Sequence, residues 1–466
     1  MKTECGVLGV WTPQLEMVNF IKPFLLKLQH RGQDSCGIGY LTSDSSQIEI
    51  KKYLKIFFRY LPCVILLPVC WLSRIFPRNN KFWVFGAWFG TRYSDNARYL
   101  FEYVQHDKEI KAIWITKNKD LISQIRRDGN NAFLASSPLG IYYMLRAGVA
   151  IVSSGLEDLN GALIFGAFKV NLWHGAPMKK LNFDENIFES EKSAKKYIRK
   201  IIHSILPHIR EIKIYDFILT TSDYFKPIMA SAFNISNYNV HPFGYPRNDI
   251  LFDENYHSGY MEKLKGKYNC KNIIAYLPTY RANNNQGENF ELFSNGLNRK
   301  AMEAFLKETD SVLFIKLHYV EQELMKNKHC DIGSRIIYAD EKEVADINDV
   351  LQYIDVLITD YSGVYFDYLL LNRPVIFLAF DLEEYIEQRG LYNDYEFYIS
   401  GPVAKNWSEV IEHAEDALVN PGKFEKLRSE KNKIFNKYYD GKSSIRVFEY
   451  LKDYENRNWK EKELID

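Results

Sequence analysis

From Phe82 onward the chain repeats one unit: a short apolar run that ends in turn residues, followed by an amphipathic helical stretch. The runs are KFWVFGA, IKAIWIT, AGVAIVSS, FKVNLWHG, YDFILTTS, NIIAYLPT, VLFIKLH, DVLITDYSG and RPVIFLAF. Such alternation predicts parallel sheets covered by helices on both faces, the doubly wound α/β class. Residues 82 to about 440 suffice for two domains of this kind. The junction is expected at the turn-forming GYPRND near residues 244–251, which divides the chain into domains over 81–245 and 246–466. The helices after about residue 420 are expected to bridge them. Ligands of open α/β sheets bind outside the carboxyl ends of the strands, so residues at those ends carry the functional reading.

Composition excludes several classes. The 60 Lys and Arg against 59 Asp and Glu leave no polycationic surface for nucleic acid. Six cysteines with no C-x-x-C pair give neither a disulfide framework nor a structural zinc site. Glu4 and Glu16 stand where a secretory signal needs an apolar core, so a cytoplasmic location is expected. G-x-x-x-x-G-K-[ST], H-E-x-x-H and a strand-linked G-x-G-x-x-G do not occur, which counts against a P-loop ATPase, a zincin and a nicotinamide or flavin enzyme.

Two segments point to a membrane surface. Residues 53–80 contain IFFRYLPCVILLPVCWL, whose uninterrupted apolar run, residues 60–72, is shorter than the roughly 20 residues a spanning helix needs. Lys51, Lys52, Lys55, Arg74 and Arg78 flank it, as suits an interfacial segment facing anionic headgroups; a buried core helix is the alternative. Residues 192–213 place Ile198, Ile201, Ile202, Ile205, Ile209 and Ile212 at helical spacing opposite a basic face, which fits a membrane surface or a helix packed on its own domain.

Two histidines end strands, one in each expected domain. His174 follows VNLW and precedes Gly175-Ala176-Pro177, and His318 ends VLFIKLH with Lys316 on the same face. Neutral imidazole at such a site can take a proton from a hydroxyl nucleophile, and the two could meet across one cleft. In DVLITDYSGVYFDYLLLNRPVIF a tight turn at Asp360–Gly363 precedes a helix whose free N–H groups could receive a diphosphate; Ser362 as a plain N-cap is the alternative. Arg247 and Arg281 lie on turns after strands, where guanidinium groups suit phosphate.

The ordered series FGAWFGTRYSDNARYLFEY, LWHGAPMKKLNFD, TTSDYFKPIMASAF, GYPRNDIL, YLPTYR, FIKLH, ITDYSGVYFDYLLLNRPVIFLAFDLEEY and RGLYNDYE resembles the CDP-glycerol glycerophosphotransferase family of teichoic acid and capsule polymer synthesis. The resemblance spans most of residues 82–440. It implies a GT-B-like fold, two Rossmann-like domains facing a central cleft, with the acceptor on the first and the nucleotide donor on the second. It also implies transfer of glycerol phosphate from CDP-glycerol, or of another polyol phosphate from a related CDP-polyol, to a hydroxyl of a lipid-linked acceptor, with release of CMP. Carried over by motif, His174 is the base toward the acceptor and His318 stabilises or protonates the diphosphate. Arg247, Asn248, Thr279, Arg281, Lys316, Thr359, Asp360, Ser362 and Gly363 are implied on the donor side, and Gly175 and Lys179 on the acceptor side. The enzyme is then peripheral on the cytoplasmic face of the membrane. A divalent cation could assist the diphosphate, although no acidic cluster commits the sequence to a metal. Two positions depart from the family pattern, Ala176 and Gly363, each losing a hydroxyl. A sugar-nucleotide glycosyltransferase of the same fold and an inactive polymer-binding scaffold remain open beside the phosphotransferase.

Residues 1–52 differ. ECGVLGV and LLKLQHRGQDSCGIGYL resemble the start of amidophosphoribosyltransferase-type glutamine amidotransferases, in which Cys5 would be the nucleophile and Arg31 a substrate ligand. About fifty residues cannot bury a core of that kind, so a truncated remnant is expected rather than a glutaminase.

Overall fold

A computed structural model describes residues 38–41, 48–51, 72–184, 215–279, 297–317, 335–340 and 342–463. The expectations for Cys5, Arg31, Arg281, His318 and the helix over 192–213 lie outside these residues, as does most of the 53–76 segment. Two units are distinguished, Met1–Trp71 with Ile187–Ile212, and Leu72–Asn186 with Lys213–Asp466. Of the first, an antiparallel hairpin of β1 (Ile38–Leu41) and β2 (Ile48–Lys51) is described.

The second unit holds two parallel sheets. Strands β3 (Asn79–Gly86), β4 (Lys111–Thr116), β5 (Ala132–Leu134), β6 (Ala147–Val152), β7 (Phe168–Asn171), β8 (Phe217–Leu219) and β9 (Val240–His241) lie in the order β5-β4-β3-β6-β7-β8-β9. Strands β10 (Asn272–Tyr276), β11 (Ser311–Ile315), β12 (Ile336–Tyr338), β13 (Val356–Thr359), β14 (Val375–Leu378) and β15 (Val403–Ala404) lie in the order β12-β11-β10-β13-β14-β15. Every ladder in both sheets is parallel, so the chain must cross over between strands, and helices such as Lys119–Arg127, Pro138–Arg146 and Arg299–Glu308 lie in those crossovers. Strands β6, β11, β13 and β14 are buried at every position, which is why their sequences read as unbroken apolar runs. The doubly wound α/β reading therefore holds.

In each sheet the winding reverses beside the first strand. The crevice opens between the carboxyl ends of β3 and β6 in one sheet and of β10 and β13 in the other, the usual ligand position in such folds. The helix Ser443–Glu463 returns to the first sheet, setting Phe448 against Trp83 and Tyr450 against Phe217 and His241. Its first N–H groups, at Ser443 and Ser444, donate to the Asp249 carboxylate at 2.8 and 2.7 Å. That acid satisfies donors which every helix start leaves open and complements the positive end of the dipole. Among the described residues no helix is long and apolar enough to cross a membrane.

Candidate active site

The turn after β7 is built to hold one imidazole in place. Trp173 adopts a left-handed backbone with φ of 55°, and Gly175 has φ of 154°, a value that favours glycine. Asn171 Oδ1 accepts the Trp173 N–H at 2.8 Å, and Asn96 Nδ2 donates to the Trp173 carbonyl at 2.8 Å. Arg247 Nη1 donates to the His174 carbonyl at 2.8 Å. The half-buried His174 ring lies beside Trp173 and Trp88, with centroids 4.0 and 5.3 Å away.

His174 Nδ1 is 3.3 Å from the Ser153 carbonyl at the end of β6. A carbonyl only accepts, so Nδ1 carries the proton and Nε2 keeps its lone pair. Burial lowers the imidazole pKa; Asp95 and the Ser153 carbonyl oppose that shift, while Arg247 and Lys179 add to it. The ring is therefore neutral at pH 7 and can act as a base.

Arg247 and Asn248 are committed to a buried network. Arg247 pairs through Nη1 with Asp95 at 3.0 Å and through Nη2 with Asp367 at 2.6 Å. Asn248 donates to the other Asp367 oxygen at 2.8 Å and accepts from Asn348 at 2.8 Å. Burial pushes the Asp367 carboxyl up, while Arg247 and Asn248 pull it back. Nearby, Asp346 accepts the Asp95 N–H at 2.7 Å, and Arg98 pairs with Asp349 at 3.0 Å. Asp95, Asn96 and Arg98 come from the start of the helix Asp95–Val104, whereas Asp346, Asp349 and Asp367 belong to the second sheet's connections. The network thus ties the two halves of the unit together.

At the second crevice the Asp360 carboxylate accepts the Thr279 N–H at 2.9 Å, the Thr279 hydroxyl at 2.7 Å and the Tyr361 N–H at 2.6 Å. Thr359 donates its hydroxyl to the Leu277 carbonyl at 2.8 Å. These buried side chains join the end of β13 to the end of β10. Lys316 is half-buried just past β11, its N–H on the Tyr276 carbonyl at 3.3 Å. The Ser362 hydroxyl is half-buried and hydrogen-bonds to none of the described residues. The helix that follows, Val364–Tyr368, is capped by Gly363 rather than by the Ser362 side chain.

The two strand-end turns meet. A Cβ placed on Gly363 would stand 3.2 Å from the Ala176 carbonyl oxygen and 3.9 Å from the Gly175 Cα. The structure thus brings the His174–Ala176 turn against the Ser362–Gly363 turn, and the two positions that depart from the family pattern are neighbours. Further along, Lys179 bridges Leu391, flanked by bonds from Lys180 N–H to the Gly390 carbonyl and from Tyr392 N–H to the Met178 carbonyl, both 3.1 Å. Among the described residues no group of three or more His, Cys, Asp or Glu side chains is arranged to hold a metal ion.

Sequence reasoning missed Asp95, Asp367 and Asp158. Asp95 left one signal, an acid after Ser94 at the start of an amphipathic stretch. Asp367 left none, because its Arg247 partner is 120 residues away, and Asp158 left none, because its tie to Phe89 spans 69 residues and its nearer partners are backbone N–H groups that any sequence supplies.

Residues 70–453 match the family described as CDP-Glycerol:Poly(glycerophosphate) glycerophosphotransferase. The chain is 26% identical over 382 residues to the teichoic acid glycerol-phosphate transferase of Staphylococcus aureus (81% of this chain, 93% of that protein). It is 30% identical over 348 residues to the teichoic acid poly(glycerol phosphate) polymerase of Bacillus spizizenii (72% and 84%). Among solved structures, a variant of the wall teichoic acid polymerase TagF superposes with a TM-score of 0.66 at 21% identity, covering 88% of this chain and 98% of that one. The matched residues leave 1–69 outside, so nothing found supports the amidotransferase resemblance of the first fifty residues.

Proposed function

Because this chain belongs to the CDP-glycerol:poly(glycerophosphate) glycerophosphotransferase family, it is a transferase, and we propose that it moves glycerol phosphate from CDP-glycerol onto a hydroxyl of a lipid-linked acceptor in teichoic acid synthesis. The observation that carries the site assignment is the meeting of the His174 turn with the Ser362–Gly363 turn at the carboxyl ends of two doubly wound sheets. In this reading the acceptor hydroxyl approaches His174 Nε2, which takes its proton as the oxygen attacks the phosphorus bearing glycerol. A new P–O bond forms, the diphosphate P–O bond breaks, and CMP leaves with the electron pair.

The donor diphosphate lies along the second crevice, near the Ser362 hydroxyl and Lys316. His318, assigned from the FIKLH motif, stabilises or protonates the diphosphate, and Arg281 from LPTYR adds a guanidinium. Arg247 and Asn248 act from behind, by fixing the His174 turn. The acceptor is anchored in the bilayer and the enzyme is peripheral on its cytoplasmic face. Exposed Leu72, Ile75 and Phe76 beside Arg74 support that location, since they continue the apolar 53–76 stretch.

The test is CMP release from CDP-glycerol, CDP-ribitol and sugar nucleotides, with and without a lipid-linked acceptor. Acceptor-dependent release from CDP-glycerol, lost in His174→Asn with the fold intact, is the expected result. Turnover of a sugar nucleotide alone, or near-normal rates in His174→Asn, would overturn the reaction or the assignment of the base.

A further inference from the structure

The loop after β3 is strained. Trp88, Phe89 and Gly90 all have positive φ, at 46, 59 and 77°, and two of them are large aromatic residues. A non-glycine residue in this region persists only when its surroundings over-determine it. Here they do. Asp158 Oδ1 accepts the Phe89 N–H at 2.6 Å, Lys117 Nζ donates to the Phe89 carbonyl at 2.9 Å, and the Thr116 hydroxyl donates to the Gly90 carbonyl at 2.9 Å. A Cβ on Gly86 or Gly90 would come within 2.7 or 2.8 Å of the Asp158 carbonyl oxygen, so both glycines are needed for this approach. The result is that Trp88 lies against the His174 ring.

The second Asp158 oxygen serves the turn after β6. Oδ2 accepts the N–H groups of Ser153 at 3.0 Å, Ser154 at 2.7 Å and Gly155 at 3.4 Å. The Ser154 N–H and the Ser153 C=O belong to one peptide group, and that C=O is the partner of His174 Nδ1. A carboxylate therefore binds the N–H end of an amide whose carbonyl end binds the imidazole. Hydrogen bonds in series polarise one another, so the carboxylate makes the Ser153 carbonyl a stronger acceptor.

We propose that Asp158 is a positioning residue for His174, acting through the Ser153–Ser154 peptide as an aspartate–amide–histidine relay at the first sheet's crevice. This rests on the reading of His174 as the base. The relay does three things: it fixes the tautomer that leaves Nε2 free, anchors at Nδ1 a ring that also lies beside Trp173 and Trp88, and stabilises the imidazolium that forms on proton transfer. Neighbouring charges act on both ends. Asp95, Arg247 and Lys179 face His174, and Glu157, Lys117 and Tyr215 lie around Asp158.

Asp158→Asn keeps the shape and removes the charge. The expected result is a folded enzyme whose kcat for CDP-glycerol falls about 10–100-fold, as for other groups that orient a working histidine. Donor KM stays unchanged, the acid limb of kcat/KM moves to lower pH, and 15N spectra of His174 lose the pure Nδ1–H tautomer. Wild-type pH limb and His174 spectra in a folded Asp158→Asn enzyme would overturn the relay, even if stability fell. If that variant does not fold, a pH titration of wild-type enzyme carrying 13C-Asp and 15N-His decides. Burial raises the Asp158 carboxyl to about 6, so linked groups should share their inflections, whereas independent single inflections would refute the link. Near-normal turnover in His174→Asn would instead sink the base reading, a result separate from either.

Discussion

Replacing Arg247 by methionine keeps most of the side-chain volume and removes the guanidinium that joins Asp95 to Asp367. At pH 7 the variant must bury unpaired carboxylates or protonate them. Protonating an ordinary carboxyl at that pH costs about 4 kcal/mol, roughly three pH units at 1.36 kcal/mol each. That lies within the about 3–5 kcal/mol seen on breaking a buried pair. Asp367 keeps the Asn248 amide and Asp95 keeps the Asn96 N–H at 2.8 Å, so the deficit should be near that of one broken pair, about 4 kcal/mol. Because the loss is a protonation cost, it depends on pH. The folded variant holds a proton that the unfolded chain has released, so its stability falls as pH rises between the two pKa values and recovers on acidification. Urea denaturation followed by tryptophan fluorescence at pH 7 and pH 5 should show the deficit shrink to about 1–2 kcal/mol at the lower pH. A deficit under about 1 kcal/mol at pH 7, or an equal deficit at both, would refute the network as the reason for Arg247. Arg247→Lys should not restore stability, because one ammonium cannot span two carboxylates and the His174 carbonyl as the guanidinium does.

Other outcomes follow from neighbouring geometry. Asp360→Ala removes the acceptor of three hydrogen bonds and should cost about 2–4 kcal/mol by denaturant unfolding, with Thr279→Val costing less because the Thr279 N–H remains bonded. Gly363→Val forces a branched side chain onto the Ala176 carbonyl and should lower kcat for CDP-glycerol, whereas Gly363→Ala, whose φ of −62° suits any residue, should leave the rate within a few-fold. Burial, with Asp349 and Asp95 close by, raises the Asp346 carboxyl to about 6; its contribution to stability is therefore full below about pH 4 and lost as pH rises through 6. Asp346→Asn should flatten that part of the stability–pH curve.

The fold was legible because strands buried on both faces must be apolar at successive positions, and a central strand such as β6 of the first sheet or β13 of the second has no other way to be written. The strand-end rule then pointed to His174 and to the Asp360–Gly363 turn, which the structure sets together. What the sequence could not give is the division of labour within that set. Arg247 and Asp360 look like phosphate ligands when only their place at a strand end is known, yet both Nη atoms of Arg247 and the Asp360 carboxylate are bonded to buried partners whose sequence separation reaches 152 and 81 residues. Charge and position are local properties; whether a charge is already neutralised is a property of the packed chain. Asp158 was invisible although three of its N–H partners lie in the same SSGLED segment, since that segment carries no pattern that distinguishes a buried acid from an exposed one.

Once both sheets are seen, a common device emerges that neither segment announces. In each, a buried aspartate on the chain beyond the second strand of the crevice reaches back to an N–H on the loop beyond the first: Asp158 to Phe89 in one sheet, Asp360 to Thr279 in the other. The parallel has a physical origin. At the crevice the winding of the sheet reverses and the chain leaves both central strands, so the backbone N–H groups there lose their ladder partners and need an acceptor. A carboxylate can accept several at once, as both acids do. The two devices differ in what hangs from them. Beyond Asp360 lies the turn that ends in the open Ser362 hydroxyl, while beyond Asp158 a single peptide leads to the His174 ring. The same structural need thus serves two different turns, and the approach of Gly363 to Ala176 sets those turns side by side.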